Sequence, residues 1–400
     1  MTILHIAQSS EGGVATVVAD LAGGQCARGD RVVVACLPGS RLAMAAGKRG
    51  AEVLAWTARG APGPQVLREV EALRRIVDYT RPDVVHLHSS KAGLDGRIAL
   101  RGRLPTVFQP HAWAFDAVTG LMRVATVRWE RAGARWTHRL VCVSEGEREQ
   151  GEAAGIPAPY VVIPNGVDLG HFDGLEGLTR EAARGRLGVA PSVPLAVCVG
   201  RLCRQKGQDV LLRSWGGIVE RVPGAQLVLV GDGPDREMLE NRASSGVVFA
   251  GSVEDPRNWY RAADLVVLPS RWEGMALAPL EAMASSRPVV VTDVTGARES
   301  LPWGHASRVI VPPDNAEALS GAVASLLSDR TTCDILGRQA RLHIRRNHSV
   351  GQVVERMYAV YEDARSAWGA STGRSPADGA TTGWPIHVRH LLSSQDRVRP

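Results

Sequence analysis

Residues 264–293 read DLVVLPSRWEGMALAPLEAMASSRPVVVTD. A short run of Leu and Val ends before Ser270, a loop carries Glu273, and Pro279 is well placed to begin the helix that holds Glu281. A second apolar run, rich in Val, follows this helical segment. Strand, loop, helix and strand in this order predict one unit of a parallel α/β sheet.

The same alternation extends through most of the 400 residues. In the second half, four further apolar runs predict strands beside DLVVLPS and PVVVTD of the opening stretch: PLAVCVG, QLVLVGDG, VVFAGSV and RVIVPP. In the first half, ILHIAQ, RVVVACL, DVVHLHSS, TVFQPHA and HRLVCVSE alternate with helical patterns such as VLREVEALRRIVDYT. Two parallel sheets are therefore expected, each covered by helices on both faces.

The segment VIPNGVDLGHFDGLEG is dense in Pro, Gly, Asn and Asp and predicts a linker, with a boundary near residues 166–175. Two domains also suit a chain with 44% apolar residues that is too long for one core. From Gly369 onward the periodicity is lost, which predicts a disordered tail over 369–400.

Composition limits the functional class. The sequence has no apolar run of the length that spans a membrane, and it enters a strand directly after Met1, so a cytoplasmic protein is expected. The six cysteines show no disulfide or zinc spacing. The net charge of +6 fits an anionic ligand or surface, whereas no nucleic-acid motif is present.

Two cations follow the strand PLAVCVG. Arg201 lies at the strand end, and Lys206 stands beside Gly207 where the next helix opens. Two positive side chains near a helix N-terminus are typical of a diphosphate site. Ordinary surface charges are the alternative.

The opening stretch adds two carboxylates. Glu273 in the loop and Glu281 in the helix could each accept hydrogen bonds from sugar or ribose hydroxyls. The amides of Met275, Ala276 and Leu277, at the helix start, face the expected phosphate position. For Glu281 the alternative is simple stabilisation of the helix dipole, and for the turn GDGP at 231–234 it is tight-turn geometry.

The first half carries weaker signals. Gly12 and Gly13 join a strand to a helix, and plain turn geometry is the alternative to a phosphate contact. His86 and His88 fall on one face of a strand, but no third ligand stands beside them, so the sequence predicts no metal site.

Four segments carry a family resemblance, namely GRLCRQKGQDVLL, LVLVGDGP, the segment from AADLVVLPS to VTDVTGARE and the linker IPNGVD. With them, the chain resembles the retaining glycosyltransferases of family 4 over residues 1 to about 366. The resemblance implies that Arg201 and Lys206 neutralise a leaving diphosphate, Glu273 contacts the donor sugar and Glu281 binds the ribose. His111 stands where the family has a cleft histidine, with Ala112 where glycine is common. The implied catalytic residues are Arg201, Lys206, Glu273 and His111, and the implied donor-binding residues are Gly12, Gly13, Arg201, Lys206, Val253, Glu273, Gly274, Met275, Ala276, Leu277 and Glu281.

The resemblance also implies the GT-B fold, in which two Rossmann-like domains hold parallel sheets that face across an interdomain cleft. The N-terminal acceptor-binding domain would be 1–168, with a returning helix at 349–368 that crosses back to it. The C-terminal nucleotide-sugar-binding domain would be 169–348. HSSKAGLDGR resembles family members that extend lipid-linked or envelope glycans. The acceptor side is assigned to His88, Ser89, Lys91 and Trp113.

Retention of anomeric configuration follows from the resemblance, with a diphosphate oxygen accepting the acceptor's proton. No D-x-D tripeptide occurs in the sequence, so the expected enzyme is a metal-independent, hexosyltransferase-type glycosyltransferase that needs no cofactor. UDP is the expected nucleotide of the donor, and GDP is the alternative that the sequence leaves open.

The segment Arg123–Arg139 combines arginines with Trp129 and Trp136. One interpretation is peripheral contact with an anionic membrane at its cytoplasmic face, and an ordinary solvated helix is the other. The acceptor is accordingly either lipid-linked, in cell-envelope polysaccharide or glycolipid synthesis, or a soluble natural product such as an aminocyclitol. A non-catalytic nucleotide-sugar-binding protein is the remote alternative.

Overall fold

A computed structural model describes residues 1–58, 63–174 and 177–373. The chain divides into two compact units, an N-terminal unit of Met1–Ile163 with the segment from Val350 onward, and a C-terminal unit of Pro164–Ser349. Each unit contains one parallel sheet with helices packed on it, as the sequence predicts.

The N-terminal unit holds a parallel sheet whose seven strands, among the described residues, are ordered β3-β2-β1-β4-β5-β6-β7. The order reverses between β1 and β4, which pair directly. The strands are β1 (Thr2–Ala7), β2 (Arg31–Cys36), β3 (Glu52–Ala55), β4 (Val84–His88), β5 (Thr106–Gln109), β6 (Arg139–Cys142) and β7 (Tyr160–Val162). The helices are α1 (Gly12–Ala27), α2 (Arg41–Lys48), α3 (Val66–Thr80), α4 (Ser89–Leu100), α5 (Gly120–Ala134) and α6 (Glu145–Ala153), with a 3-10 turn at Ala114–Asp116.

The C-terminal unit holds a second parallel sheet, with the described strands in the order β10-β9-β8-β11-β12-β13. Its strands are β8 (Leu195–Val199), β9 (Gln226–Val230), β10 (Val247–Gly251), β11 (Leu265–Leu268), β12 (Val289–Thr292) and β13 (Ile310–Val311). Its helices are α7 (Leu169–Asp173), α8 (Arg180–Leu187), α9 (Gln208–Arg221), α10 (Arg236–Glu240), α11 (Arg257–Ala262), α12 (Leu277–Ala284), α13 (Ala306–Val309), α14 (Ala316–Leu327) and α15 (Arg330–Asn347), with a 3-10 turn at Arg204–Lys206.

The last helix, α16 (Val350–Thr372), packs on the N-terminal unit. Its buried residues Met357, Val360 and Tyr361 join a cluster with Ile3 and Val84 of the sheet. The predicted returning helix ended at residue 368, but the helix continues to Thr372. Trp368 is buried, and its carbonyl oxygen accepts hydrogen bonds from Ser371 and Thr372 at 2.9 Å, which extend the last turn. The rest of the predicted tail, 374–400, lies outside the described residues.

The predicted strands are confirmed, and two short edge strands, β3 and β7, were not predicted. The short helix α7 occupies residues 169–173 of the predicted linker. Within the predicted linker, Asn165 is buried, and its side chain donates to the Met275 carbonyl at 2.8 Å, so the chain is held against the rest of the C-terminal unit there. Residues 175–176 of the predicted linker are outside the described part of the chain. Among the described helices, none combines the length and the apolar character needed to cross a bilayer.

Candidate active site

The C-terminal sheet has a switch point between β8 and β11. From β8 the chain moves outward to β9 and β10, and from β11 it moves outward the other way to β12 and β13. Ligands of open parallel sheets bind at the carboxyl ends of the strands at such a point. The loops that follow β8 and β11 carry Lys206 and Glu273.

Lys206 and Glu273 are in direct contact. The Lys206 Nζ donates to the Glu273 Oε1 at 2.5 Å, and the Ser270 Oγ donates to the same oxygen at 2.7 Å. The Glu273 residue is only 7% exposed, so little water screens this pair. The structure thus brings together two of the residues that the sequence predicts.

The two loops are joined by further bonds. Arg271 donates to both carboxylate oxygens of Asp209 at 2.9 and 2.8 Å and to the Arg204 carbonyl at 2.8 Å. The Gln205 side chain donates to the Trp272 carbonyl at 3.0 Å. Burial alone would raise the pKa of Asp209, but its bonds to Arg271 and Arg213 lower it overall. The positions of Lys206 and Glu273 are therefore fixed by backbone as well as by their own contact.

Two glycines explain why the β8 loop lies so close to its neighbours. A Cβ on Gly207 would lie 2.0 Å from the Pro269 carbonyl oxygen of the β11 strand end. A Cβ on Gly231, in the turn GDGP, would lie 2.1 Å from the Gly200 carbonyl oxygen. The turn GDGP therefore packs against the β8 loop. Such close packing is consistent with the alternative given above for this turn, in which its glycines serve tight-turn geometry.

Arg201 lies on the exposed part of the β8 loop, where its carbonyl accepts a hydrogen bond from the Gln208 side chain at 2.9 Å. Val253 is partly buried and follows the edge strand β10. Both lie beyond the carboxyl ends of strands of the C-terminal sheet.

Helix α12 begins at Leu277, and its N-cap residue Ala276 makes no side-chain capping bond, which leaves first-turn amides for a ligand. Gly274 and Met275 precede the helix start. Glu281 lies in the second turn and accepts a hydrogen bond from the Tyr260 hydroxyl at 2.7 Å.

A small pocket lies beside Glu273. Its lining includes Ser270, Glu273, Ala276 and Thr292.

In the N-terminal unit, Gly12 begins α1 with φ at +73°, and Gly13 follows it. A Cβ on Gly12 would meet nothing within 4 Å, so it is the backbone angle that favours glycine there. The N-cap Glu11 makes no side-chain capping bond to α1.

His111 follows β5 in a strained turn. Its φ is +62°, and Ala112 has φ +151°, a region that favours glycine. The sequence departs from the family at Ala112, and the structure shows that the backbone keeps a glycine-like conformation there. The His111 Nε2 lies 3.0 Å from the His88 Nδ1.

Three of the four residues assigned to the acceptor side are buried, and their assignment stays a prediction. Lys91 is 5% exposed and pairs with Glu69 at 2.5 Å and Asp95 at 3.0 Å. Trp113 is 1% exposed, and its indole donates to the Glu147 carbonyl at 2.7 Å. The helical sequence pattern around Lys91 does not reveal that its partners Glu69 and Asp95 are buried. His88 is also fully buried, and Ser89 alone of the four is partly exposed.

The sequence interpretation found no third imidazole beside His86 and His88, and this was wrong. Strand pairing puts His5 opposite His86, and ligand atoms of the three rings lie within 4.8 Å of one another. Burial lowers the pKa of His5 to about 4 and the pKa of both other rings well below the usual value. All three are therefore neutral at pH 7.

Sequence reasoning missed four other polar residues at these sites, namely Gln25, Asn165, Tyr260 and Tyr361. Their one local signal is a polar side chain within an apolar segment. Their partners are far away in sequence, so only the fold reveals the contacts.

Comparison with known proteins agrees with this architecture. The family model for "Glycosyltransferase Family 4" matches residues 11–171, and that for "Glycosyl transferases group 1" matches 193–329. A D-inositol 3-phosphate glycosyltransferase of Actinosynnema mirum is 33% identical over 302 residues, which cover 64% of this chain and 71% of that protein. The chain belongs to glycosyltransferase family 4.

Two other family members resemble the chain. The lipopolysaccharide core biosynthesis mannosyltransferase LpsB of Rhizobium meliloti is 32% identical over 52% of this chain and 62% of its own length. The alignment therefore spans less than two thirds of that relative. The UDP-Gal:alpha-D-GlcNAc-diphosphoundecaprenol alpha-1,3-galactosyltransferase of Escherichia coli is 28% identical over 74% of this chain and 79% of its length.

Among solved structures, Anabaena Alr3699/HepE in complex with UDP-glucose has a TM-score of 0.76 at 21% identity, covering 90% of this chain and 99% of that one. This likeness concerns the fold. The GT-B fold expected of a family 4 member is confirmed.

Relief of the strained turn beside His111 gives a first test. We expect Ala112→Gly to raise the free energy of unfolding by about 1 kcal/mol, because glycine adopts φ +151° without strain. Urea denaturation measures the change.

Ala117→Gly is the matched control, because Ala117 has an ordinary φ of −84°. It should lower stability by about 0.5–1 kcal/mol. Equal losses in both variants would show that the turn at Ala112 is unstrained.

Proposed function

We propose that the protein is a retaining glycosyltransferase that moves a sugar from a nucleotide-sugar, most readily a UDP-sugar, to a hydroxyl acceptor in cell-envelope polysaccharide or glycolipid synthesis. The observation that carries the proposal is the contact between Lys206 and Glu273 at the switch point of the C-terminal sheet. A cation for the diphosphate and a carboxylate for sugar hydroxyls stand together there.

The leaving diphosphate gains negative charge as its bond to the sugar breaks. Lys206 has three ammonium hydrogens, and its bond to Glu273 uses one of them. Arg201 on the same loop and the first amides of α12 supply further positive potential. Groups held ready in this way can each contribute about 3–4 kcal/mol to transition-state stabilisation.

In the proposed step, the bond between the sugar C1 and the diphosphate oxygen breaks, and the electron pair stays with the diphosphate. The acceptor oxygen bonds to C1 from the same face, and its proton passes to a diphosphate oxygen. No side chain is needed as a general base in this step. Glu273 binds sugar hydroxyls, Glu281 binds the ribose, and Lys206 with Arg201 supplies the charge that a divalent metal supplies elsewhere.

The choice of donor rests on relatives. HepE is described in complex with UDP-glucose, and the Escherichia coli relative is named for UDP-Gal. LpsB is named as a mannosyltransferase, so the sugar differs within the family. Backbone near Val253 would contact the base.

The names of relatives also support an envelope acceptor, because LpsB is named for lipopolysaccharide core biosynthesis and the galactosyltransferase for a diphosphoundecaprenol substrate. A soluble cyclitol is the second candidate. The Actinosynnema mirum relative is named for D-inositol 3-phosphate, which is a small cyclitol.

The first turns of α5 support membrane contact for the lipid-linked acceptor. Leu121 is 89% exposed and Met122 is 62% exposed, with Val124 and Arg123 next to them. Apolar side chains with a neighbouring cation suit insertion into an anionic lipid surface.

The segment Arg123–Arg139, which the sequence analysis proposed for membrane contact, includes residues that are bound to other parts of the protein. Arg139 lies in β6 and pairs with Asp363, and the Arg131 Nε donates to the Ala154 carbonyl at 2.7 Å. Trp129 and Trp136 are partly buried and lie 6.4 Å apart between ring centroids. The proposed contact is therefore the N-terminal half of α5, without the tryptophans.

Transfer from UDP-, GDP- and dTDP-sugars tests the proposed reaction. We expect the wild type to transfer from a UDP-sugar at the same rate with and without a metal chelator. Lys206→Met should lower kcat/KM at least tenfold, because a charged hydrogen bond to the diphosphate is worth about 1.5–3 kcal/mol. Product formation is measured by mass spectrometry.

Lys48→Met is the matched control. It removes an exposed lysine at the end of α2 and should leave kcat/KM unchanged. Unaltered transfer by Lys206→Met would contradict the site assignment.

Vesicle cosedimentation tests the membrane contact. We expect the wild type to bind vesicles with 30% anionic lipid at low salt, and the double variant Leu121→Ser, Met122→Ser to bind at least tenfold more weakly. Each buried apolar side chain contributes about 1.5–3 kcal/mol.

Leu67→Ser removes a leucine of α3 that is 78% exposed and should leave binding unchanged. Equal binding by both variants, or none by the wild type, would reject the α5 contact and favour the soluble cyclitol acceptor.

A further inference from the structure

A continuous line of buried polar side chains runs through the N-terminal unit. Consecutive contacts have lengths of 3.0, 2.9, 2.8, 3.2 and 2.9 Å. We call this set the histidine network, and in order along the line its members are His111, His88, His5, Gln25, Tyr361 and His86.

The fold explains why these residues meet. His5 of β1 and His86 of β4 are register partners, and Ala7 pairs with His88 one step further along. Side chains two residues apart share a face of the sheet, so all three rings face the side on which Tyr361 of α16 packs. Gln25 of α1 bridges His5 and Tyr361.

The direction of each hydrogen bond follows from Gln25. Its amide oxygen can only accept, so the His5 Nε2 must carry the proton of their 2.8 Å contact. The His5 Nδ1 of a neutral ring is then an acceptor, and the His88 Nε2 donates to it. By the same reasoning the His111 Nε2 donates to the His88 Nδ1.

The other side of the network is directed as well. The Gln25 Nε2 donates to the Tyr361 hydroxyl, which in turn donates to the His86 Nδ1. The His86 Nε2 then carries a proton. Burial, followed by the neighbouring imidazoles, lowers the pKa of His86 overall. The His86 Nε2 and the Gln109 Oε1 are both buried, and neither has a hydrogen-bond partner among the described residues.

The four rings are neutral at physiological pH. Burial lowers the pKa of His5 to about 4 and that of His111 to about 3, and it lowers the pKa of His86 and His88 well below the usual value. Each ring of the network therefore has its proton on Nε2.

We propose that His88, His5 and Gln25 are positioning residues for His111: they bind its Nε2 proton and so leave its Nδ1 as a hydrogen-bond acceptor for a substrate hydroxyl. This inference rests on the proposed function, with His111 as one of the catalytic residues that the family resemblance implies. Without the network the ring could turn or exchange its proton between the two nitrogens, and the acceptor would be lost for part of the time.

A metal ion held by His5, His86 and His88 is the competing explanation, since their ligand atoms lie within 4.8 Å of one another. The His5 Nδ1 and the His88 Nε2 already form a hydrogen bond with each other at 2.9 Å. The groups in contact with the three rings are His111, Gln25, Gln109 and Tyr361, and none of them is a carboxylate. A buried dication would lack a compensating anion, which is costly, so the contacts favour the hydrogen-bonded network.

Nitrogen NMR of protein with ¹⁵N-labelled histidine tests the network without any substrate. At pH 7 we expect the four rings to be neutral with protons on Nε2, and elemental analysis of the purified protein to find less than one transition-metal ion per ten chains. A proton on the His111 Nδ1, a charged ring, or one bound metal ion per chain would overturn the proposal.

Gln25→Met removes the acceptor that directs the network. We expect His111 to become a mixture of tautomers and kcat/KM for sugar transfer to fall about three- to tenfold, as for loss of one neutral hydrogen bond. If Gln25→Met does not fold, the tautomer of His111 measured in the wild type still tests the network.

His138→Gln is the control, because it removes another imidazole of the same unit, one that accepts from the Thr106 amide. It should leave the His111 tautomer and kcat/KM unchanged. Gln25→Met with normal kcat/KM would overturn the positioning role. A wild type that transfers no sugar would refute the proposed function instead, while the tautomers remain measurable.

Discussion

The short ion pair between Lys206 and Glu273 constrains the C-terminal unit more than any other contact at the site. Its partners lie 67 residues apart in sequence and meet because β8 and β11 are neighbours in the sheet. A half-buried lysine beside a carboxylate is electrostatically satisfied without ligand, yet it keeps donors for an anion. The bonds of Arg271 and the close approach of Gly207 to β11 hold the two loops at this spacing. The proposed chemistry depends on that fixed spacing, since preorganised charge needs no rearrangement when the diphosphate leaves.

The N-terminal unit buries several imidazoles on an otherwise apolar face of its sheet. Its sheet face under α16 is mostly apolar, with Ile3 and Val84 packed against Met357. Imidazoles on the same face would be costly to bury alone, and the histidine network gives each ring at least one hydrogen bond, to another ring, to α1 or to α16. The network ends at the strained turn of His111, so a rigid interior supports a backbone conformation that ordinary residues avoid.

Much of this could be predicted from sequence, for reasons that are local. Buried parallel strands are continuous apolar runs, and the loops with Lys206 and Glu273 follow two such runs. The sequence pattern alone could therefore predict these two residues as a site. The short edge strands β3 and β7 lack such runs and were missed. His5 was missed because its contact with His86 depends on the register between β1 and β4, which no local pattern encodes. The burial of Lys91 against Glu69 and Asp95 was not predicted, because Glu69 lies on another helix and only the fold brings it near.

A crystal structure with a bound nucleoside diphosphate, taken for each of UDP, GDP and dTDP, measures the central claim most directly. The account predicts that the diphosphate lies at the carboxyl ends of β8 and β11, with a phosphate oxygen about 2.7–2.9 Å from the Lys206 Nζ. It also predicts that the Lys206 to Glu273 contact survives binding. A diphosphate bound elsewhere on the protein, with Lys206 turned away from it, would contradict the account.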